Sequence, residues 1–254
     1  MKHCYALAAL ALVYSSYCNA GDIKIRGFAS IVAGQTLDED DALYGYTDDI
    51  NYRTDSLAAL QFDSDLEEGL SATVQIAARG SEDFDLGVEW AYLTYELSEY
   101  TQVSAGRIRI PFYRYSDFLD VRYAYTWLKM PDTVYGFSFP GYDGFSLLYT
   151  RPIGEVDSTL QLISGQFSGN TGPYEATLKD LAGFGWTLNW EWLTFRTGYV
   201  KSRATIDIDD FEGLTTLTSN LGLALGGLDT SDLESAMVVD GDTGDYWSVA
   251  LGID

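Results

Sequence analysis

Leu70-Ser-Ala-Thr-Val-Gln-Ile-Ala-Ala-Arg79 is the stretch on which the fold turns. Leu70, Ala72, Val74, Ile76 and Ala78 alternate with Ser71, Thr73, Gln75, Ala77 and Arg79, so a strand here has one apolar face and one face of polar and small residues. The same period of two recurs further on. Ala182, Phe184, Trp186 and Leu188 alternate with Gly183, Gly185, Thr187 and Asn189. Leu193, Phe195, Thr197 and Tyr199 alternate with Thr194, Arg196, Gly198 and Val200, and Trp247, Val249 and Leu251 with Ser248, Ala250 and Gly252. Each run is about ten residues long, the length a tilted strand needs to cross a bilayer.

Extended over the chain, the pattern predicts about ten strands, near 22–33, 55–63, 70–80, 87–97, 101–110, 143–150, 157–166, 181–189, 192–201 and 245–253. Short connections at 64–69, 98–100, 151–156 and 190–191 alternate with long or acidic ones at 34–54, 81–86, 111–142, 167–180 and 202–244. Short turns at one end and long loops at the other mark an outer-membrane barrel. Pro111, Pro131, Pro140, Pro152 and Pro173 all fall in connections, as a strand ladder requires. Tyr95, Tyr100, Trp190 and Trp192 gather near the short turns, where an interfacial girdle belongs. A soluble β-sandwich would also alternate, but it has no reason to alternate its loop lengths, and no repeat supports a β-helix.

The 254 residues carry 15 Lys+Arg against 38 Asp+Glu, a net charge of −23 that argues against a nucleic-acid partner. Residues 1–20 read as a secretory signal peptide: Lys2 and His3, then the apolar Tyr5–Val13, then Cys18-Asn-Ala20 as the cleavage site. Bulky Tyr17 argues against a lipoprotein signal at Cys18. The single His and both Cys lie within these residues, so residues 21–254 hold no thiolate, no His base and no His metal ligand. No later stretch has 18 consecutive apolar residues, so helical membrane spans are excluded.

Asp65-Leu-Glu-Glu-Gly-Leu-Ser-Ala-Thr-Val-Gln75 resembles the turn between the second and third strands of Gram-negative outer-membrane general-diffusion porins. Ala105-Gly-Arg107 is similar to the Gly-Arg that closes their fifth strand. Tyr115-Ser-Asp-Phe-Leu-Asp-Val121, with Trp127 and Pro131, stands where they carry their third loop. The resemblance implies an all-β, up-and-down transmembrane barrel of usually sixteen strands, trimeric and water-filled, whose third loop folds inward. Two departures stand out. The chain stops after about ten strands, and it lacks the family's terminal aromatic, so residues 21–254 are expected to be the N-terminal part of a longer porin. Ten-stranded outer-membrane proteases and the phospholipase and acyltransferase types depend on His, which residues 21–254 lack.

Strand phase places Lys24, Arg26, Arg79 and Arg196 on the lumen side. Strict alternation would turn Arg107 and Arg109 towards lipid at a cost of about 2–4 kcal/mol each. A bulge at Gly106 would instead aim both arginines inward and leave Ile108 and Ile110 on lipid. Asp117 and Asp120 of the third loop are the expected counter-charges across the pore. The other reading is that some of these arginines are merely solvated in the lumen or snorkel near a rim.

Half of the carboxylates lie in 34–50, 81–86 and 202–245. Asp38–Asp41, Asp207–Asp210 and Asp240-Gly-Asp242 are either solvated loops or surface divalent-cation sites, and Ser231-Asp-Leu-Glu234 fits a capping box. The expected function is passive diffusion of small hydrophilic solutes and ions, with outer-membrane lipid and copies of the chain in a homotrimer as partners. No catalysis and no cofactor are expected. A plugged structural or adhesion barrel with partner-binding acidic loops is the alternative.

Overall fold

The computed structural model describes residues 22–37, 44–111, 116–127, 141–171, 174–208 and 239–253. Residues 1–20, Asp38–Asp41 and Ser231–Glu234, on which several sequence expectations rest, lie outside them, as do the side chains of Asp117, Asp207–Asp210, Asp240 and Asp242. Among the described residues there are ten strands: β1 (Ile23–Ser30), β2 (Leu57–Glu67), β3 (Leu70–Arg79), β4 (Leu86–Ser98), β5 (Thr101–Arg109), β6 (Gly141–Ile153), β7 (Val156–Thr171), β8 (Tyr174–Trp190), β9 (Leu193–Ile208) and β10 (Val239–Ile253). They form one sheet in chain order, each strand antiparallel to the next. β1 and β10 are not paired with each other, so the sheet is not closed.

Tight turns join the strands at one end, with Gly69 (φ 75°), Gly154 (φ 66°) and Glu191 (φ 47°) in the left-handed region that two-residue hairpins need. At that end Tyr95, Tyr100, Trp190 and Trp192 are exposed. The period of two sorts the faces. Ile25, Leu60, Val74, Leu93, Phe145, Leu162, Trp186 and Val249 share the outer face, and all are exposed. Ala58 is exposed there as well, and Phe62 is half-buried. Phe184 is half-buried because Tyr199 and Trp247 pack against it, with ring centroids 6.3 and 6.4 Å away. The inner face is concave: Gln61 of β2 and Arg196 of β9 line one cavity of about 530 Å³ together with residues of β4–β7.

A row of glycines sets that curvature. Gly106, Gly144 and Gly165 are direct neighbours across β5, β6 and β7. A Cβ at Gly144 would stand 2.1 Å from the Ser164 carbonyl oxygen, and one at Gly106 2.3 Å from that of Ala91. Only a residue without Cβ lets adjacent backbones approach so closely at a bend. Inside the bend, Ile108, Ile110, Tyr142, Ile163, Leu178, Leu181 and Val200 form a buried apolar cluster.

This corrects the expectation that Ile108 and Ile110 face lipid. The register runs unbroken through Gly106, with Tyr92↔Gly106 and Ala91↔Arg107 on one side and Gly106↔Gly144 and Arg107↔Asp143 on the other. Gly106 (φ 136°) is a bend and not a bulge.

The long connection expected at 167–180 is also corrected, because β7 continues to Thr171 and β8 begins at Tyr174. Asp180 (φ 52°) sits in a bulge between Lys179 and Ala182, which puts Leu178 and Leu181 in the same cluster although they are three apart.

Candidate functional site

The third connection leaves β5 at Arg109 and, between its described ends, makes two short 3₁₀ turns, Ser116–Phe118 and Arg122–Ala124. Phe118, Asp120, Val121, Tyr123 and Ala124 line a cavity of about 350 Å³ together with Arg26, Phe28, Gln61, Gln75 and Trp90. The segment 116–127 therefore lies against the inner face of β1–β5.

Asp120 is the centre of what holds it there. Arg79 Nη1 and Nη2 donate to the two Asp120 carboxylate oxygens at 2.9 and 3.0 Å, a bidentate pair. Arg109 Nη2 donates to Asp120 Oδ2 at 3.0 Å, and Arg109 Nη1 donates to the Ser116 carbonyl at 2.8 Å. Glu89 completes the group, 2.9 Å from Arg79 and 3.5 Å from Arg109. The Arg109 guanidinium also stacks over the Trp90 ring, 4.7 Å from its centroid. Burial pushes the Asp120 carboxyl upward, but the Arg79 hydrogen bonds and the Arg79 and Arg109 charges outweigh it and hold it down at about 2.

Two further ties fix the connection. Arg196 of β9 donates to the Pro111 carbonyl at 2.7 Å and to Thr187 Oγ1 at 2.9 Å. Arg122 donates to the Asp55 carbonyl at 2.6 Å, and Tyr46 donates its hydroxyl to Asp55 Oδ2 at 2.8 Å, so the first long connection is tied to the third. Burial, then the hydrogen bond to Asp55, pushes the Tyr46 phenol up to about 12.

The sequence-predicted site residues separate into three groups. Arg79, Arg109 and Asp120 come together, but in direct contact and not as opposed rims across a gap. Lys24 and Arg26 on β1 pair instead with Asp65 at 3.2 Å and Asp63 at 2.7 Å, Arg26 lining the same cavity as Arg109 and Asp120.

Arg107 is on the phase of Ala105 and Phe145, and its guanidinium pairs with Asp143 at 2.9 Å on the next strand. It is thereby engaged, whereas Arg109, two residues on and of the same phase, is the one that reaches Asp120.

Sequence reading missed Glu89 and Trp90. Their signal was present: the apolar positions of β4 run Leu86, Val88, then Ala91, Leu93, and the step of three is the bulge that sends both residues inward.

No family model matches the chain, and no curated protein matches it. Among solved structures it is distantly similar to a loop-deletion mutant of OmpT, an outer membrane protein of Vibrio cholerae. The two share 13% identity and a TM-score of 0.34 over 76% of this chain and 72% of that one.

Proposed function

We propose that the chain forms an outer-membrane channel of the general-diffusion porin kind, passing small hydrophilic solutes and ions without catalysis and without a cofactor. One observation supports this most. A single curled antiparallel sheet divides into an apolar outer face and an inner face whose cavities mix polar residues (Arg26, Gln61, Gln75, Thr94, Ser104, Arg109, Gln161) with aromatic ones, with the third connection seated on the inner face. In lipid an exposed apolar band is favourable and a polar interior can hold water. In water the same outer face would be an apolar patch far larger than soluble proteins expose. The partners follow: permeating solutes and ions inside, membrane lipid outside, and other copies of the chain in a trimer of closed barrels. The residues we assign to the channel wall are Lys24, Arg26, Arg79, Arg109 and Arg196, with Asp120 and Asp117 on the connection that narrows it.

A plugged structural or adhesion barrel is the second reading, favoured by the apolar cluster of Ile108, Tyr142, Ile163, Leu181 and Val200 on the inner face. Planar-bilayer recording of the full chain separates the two. The channel reading expects uniform additive current steps, and a silent membrane with inserted protein would overturn it.

A further inference from the structure

The apolar outer face of β8, β9 and β10 ends along one line. Phe184, Tyr199 and Trp247 are neighbours across these strands, with the Tyr199 and Trp247 ring centroids 4.4 Å apart. Trp186 and Val249 continue the exposed apolar face towards the tight turn between β8 and β9. In the other direction the character changes at once. Val200 belongs to the inner apolar cluster and Ala204 packs against it, which puts Lys201 and Arg203 on the outer face. Leu178 belongs to the same cluster, which puts Lys179 outside as well. Lys179 and Arg203 stand directly opposite each other across β8 and β9, and all three cations are exposed. Like charges so placed repel. Two carboxylates share the patch, and both are engaged. Asp180 pairs with Arg203, and Asp245, opposite Lys201, accepts from the Tyr199 hydroxyl at 2.5 Å. Among the described residues, Lys179 and Lys201 make no hydrogen bond and no ion pair.

We infer that this patch binds the phosphate of an anionic lipid whose acyl chains lie along Phe184, Tyr199 and Trp247. Aromatic rings with polar tips mark the level where hydrocarbon gives way to head groups. The two uncommitted ammonium groups stand immediately beyond those rings, at the depth of a lipid phosphate. Its anionic oxygens can accept from both lysines and offset the repulsion between Lys179 and Arg203. Free phosphate would meet the same cations but gain nothing from the rings, so the occupant is a lipid. The inference rests on the outer face being lipid-facing, and not on whether the interior conducts.

The test titrates the full chain, folded in a non-ionic detergent, with dioleoyl phosphatidic acid, dioleoyl phosphatidylcholine or inorganic phosphate, and counts bound copies by native mass spectrometry. Phosphatidic acid should be retained in preference to both others. Lys179→Gln and Lys201→Gln should each weaken its retention about fivefold, the usual worth of one basic residue at a membrane surface. Either variant suffices if the other fails to fold. Arg151→Gln, at an exposed position near the tight-turn end of β6, should leave retention unchanged. Equal retention of phosphatidylcholine or of inorganic phosphate, unchanged affinity in the folded lysine variants, or an equal loss with Arg151→Gln would overturn the site. Failure of the lipid-facing reading shows separately, because Leu93→Arg would then fold in vesicles as well as the unaltered chain. Lipid retention by a chain that conducts no current would leave the site standing and remove the channel. Conductance without lipid retention would do the reverse.

Discussion

Asp120 is the residue on which the third connection hangs, and its protonation sets when it lets go. Its carboxyl, ordinarily near 3.8, is held at about 2 in the fold, so its ion pairs stabilise the structure fully above the unfolded value. That contribution fades as pH falls from about 4. Pepsin cleavage within 111–140 should therefore be slow at pH 4 and accelerate towards pH 2, while Asp120→Asn should be cleaved quickly at both. The same substitution removes one of the two carboxylates, Asp120 and Glu89, that Arg79 and Arg109 share and should lower unfolding free energy by about 3 kcal/mol in a denaturant titration. At the other extreme, Tyr46 donates to Asp55 only while neutral. Because its phenol is raised to about 12, that tie is at full strength below pH 10 and is lost as pH climbs through 12. Arg107 and Arg109 make a contrasting pair two residues apart. Arg107→Ala should leave the reversal potential under a salt gradient unchanged, since Arg107 is already neutralised by Asp143 on the next strand. Arg109→Ala, which uncovers Glu89 and Asp120, should raise cation preference, an effect that fades at 1 M salt as screening shortens to ~3 Å.

At the scale of elements, the bend in β5–β7 is a backbone property that a methyl group tests. Gly144→Ala puts Cβ against the Ser164 carbonyl, and neither backbone can yield without unpairing the ladder. It should sharply reduce the fraction that refolds into micelles, measured by the heat-modifiable gel shift of folded barrels. Gly154→Ala is the control: nothing lies within 4 Å of its Cβ, and only the strain of φ 66°, about 1–2 kcal/mol, opposes it. Strand existence was legible in the sequence because β3, β8, β9 and β10 alternate with few faults. Their limits were less so. Gly169-Asn-Thr-Gly-Pro173 reads as a loop, yet the ladder extends through Thr171 and resumes at Tyr174. Hydrogen bonding to the neighbouring strand decides this, and the local turn residues shorten the hairpin to a tight one without ending the strands.

For the molecule as a whole, the two faces define two environments, and adjacent residues sample both. Leu93 is on the outer face, 48% exposed, while Thr94 lines the inner cavity. Leu93→Arg should cost about 2–4 kcal/mol of folding free energy in lipid vesicles, the expense of a charge near mid-bilayer. Thr94→Arg meets the wet side and should change that free energy by less than about 1 kcal/mol. Equal costs at the two positions, measured by urea titration in vesicles, would contradict the assignment of the faces.

A period of two needs no tertiary information, because successive Cβ atoms point to opposite sides of any extended chain. The approximate strand positions, the apolar outer face and the inner-face phase of Arg26, Arg79 and Arg196 were therefore legible in the sequence alone. Contacts between distant residues were not. Phase places Arg79 on the inner face, but only the inward path of the third connection brings Asp120 to within 2.9 Å of it, 41 positions away in the chain. Arg107 makes the same point. It shares its phase with Arg109, yet Arg107 pairs with Asp143 on the next strand while Arg109 reaches Asp120, so phase alone does not separate the two. Sequence separation conceals such a partner, since register between strands is set by every pair along the ladder at once.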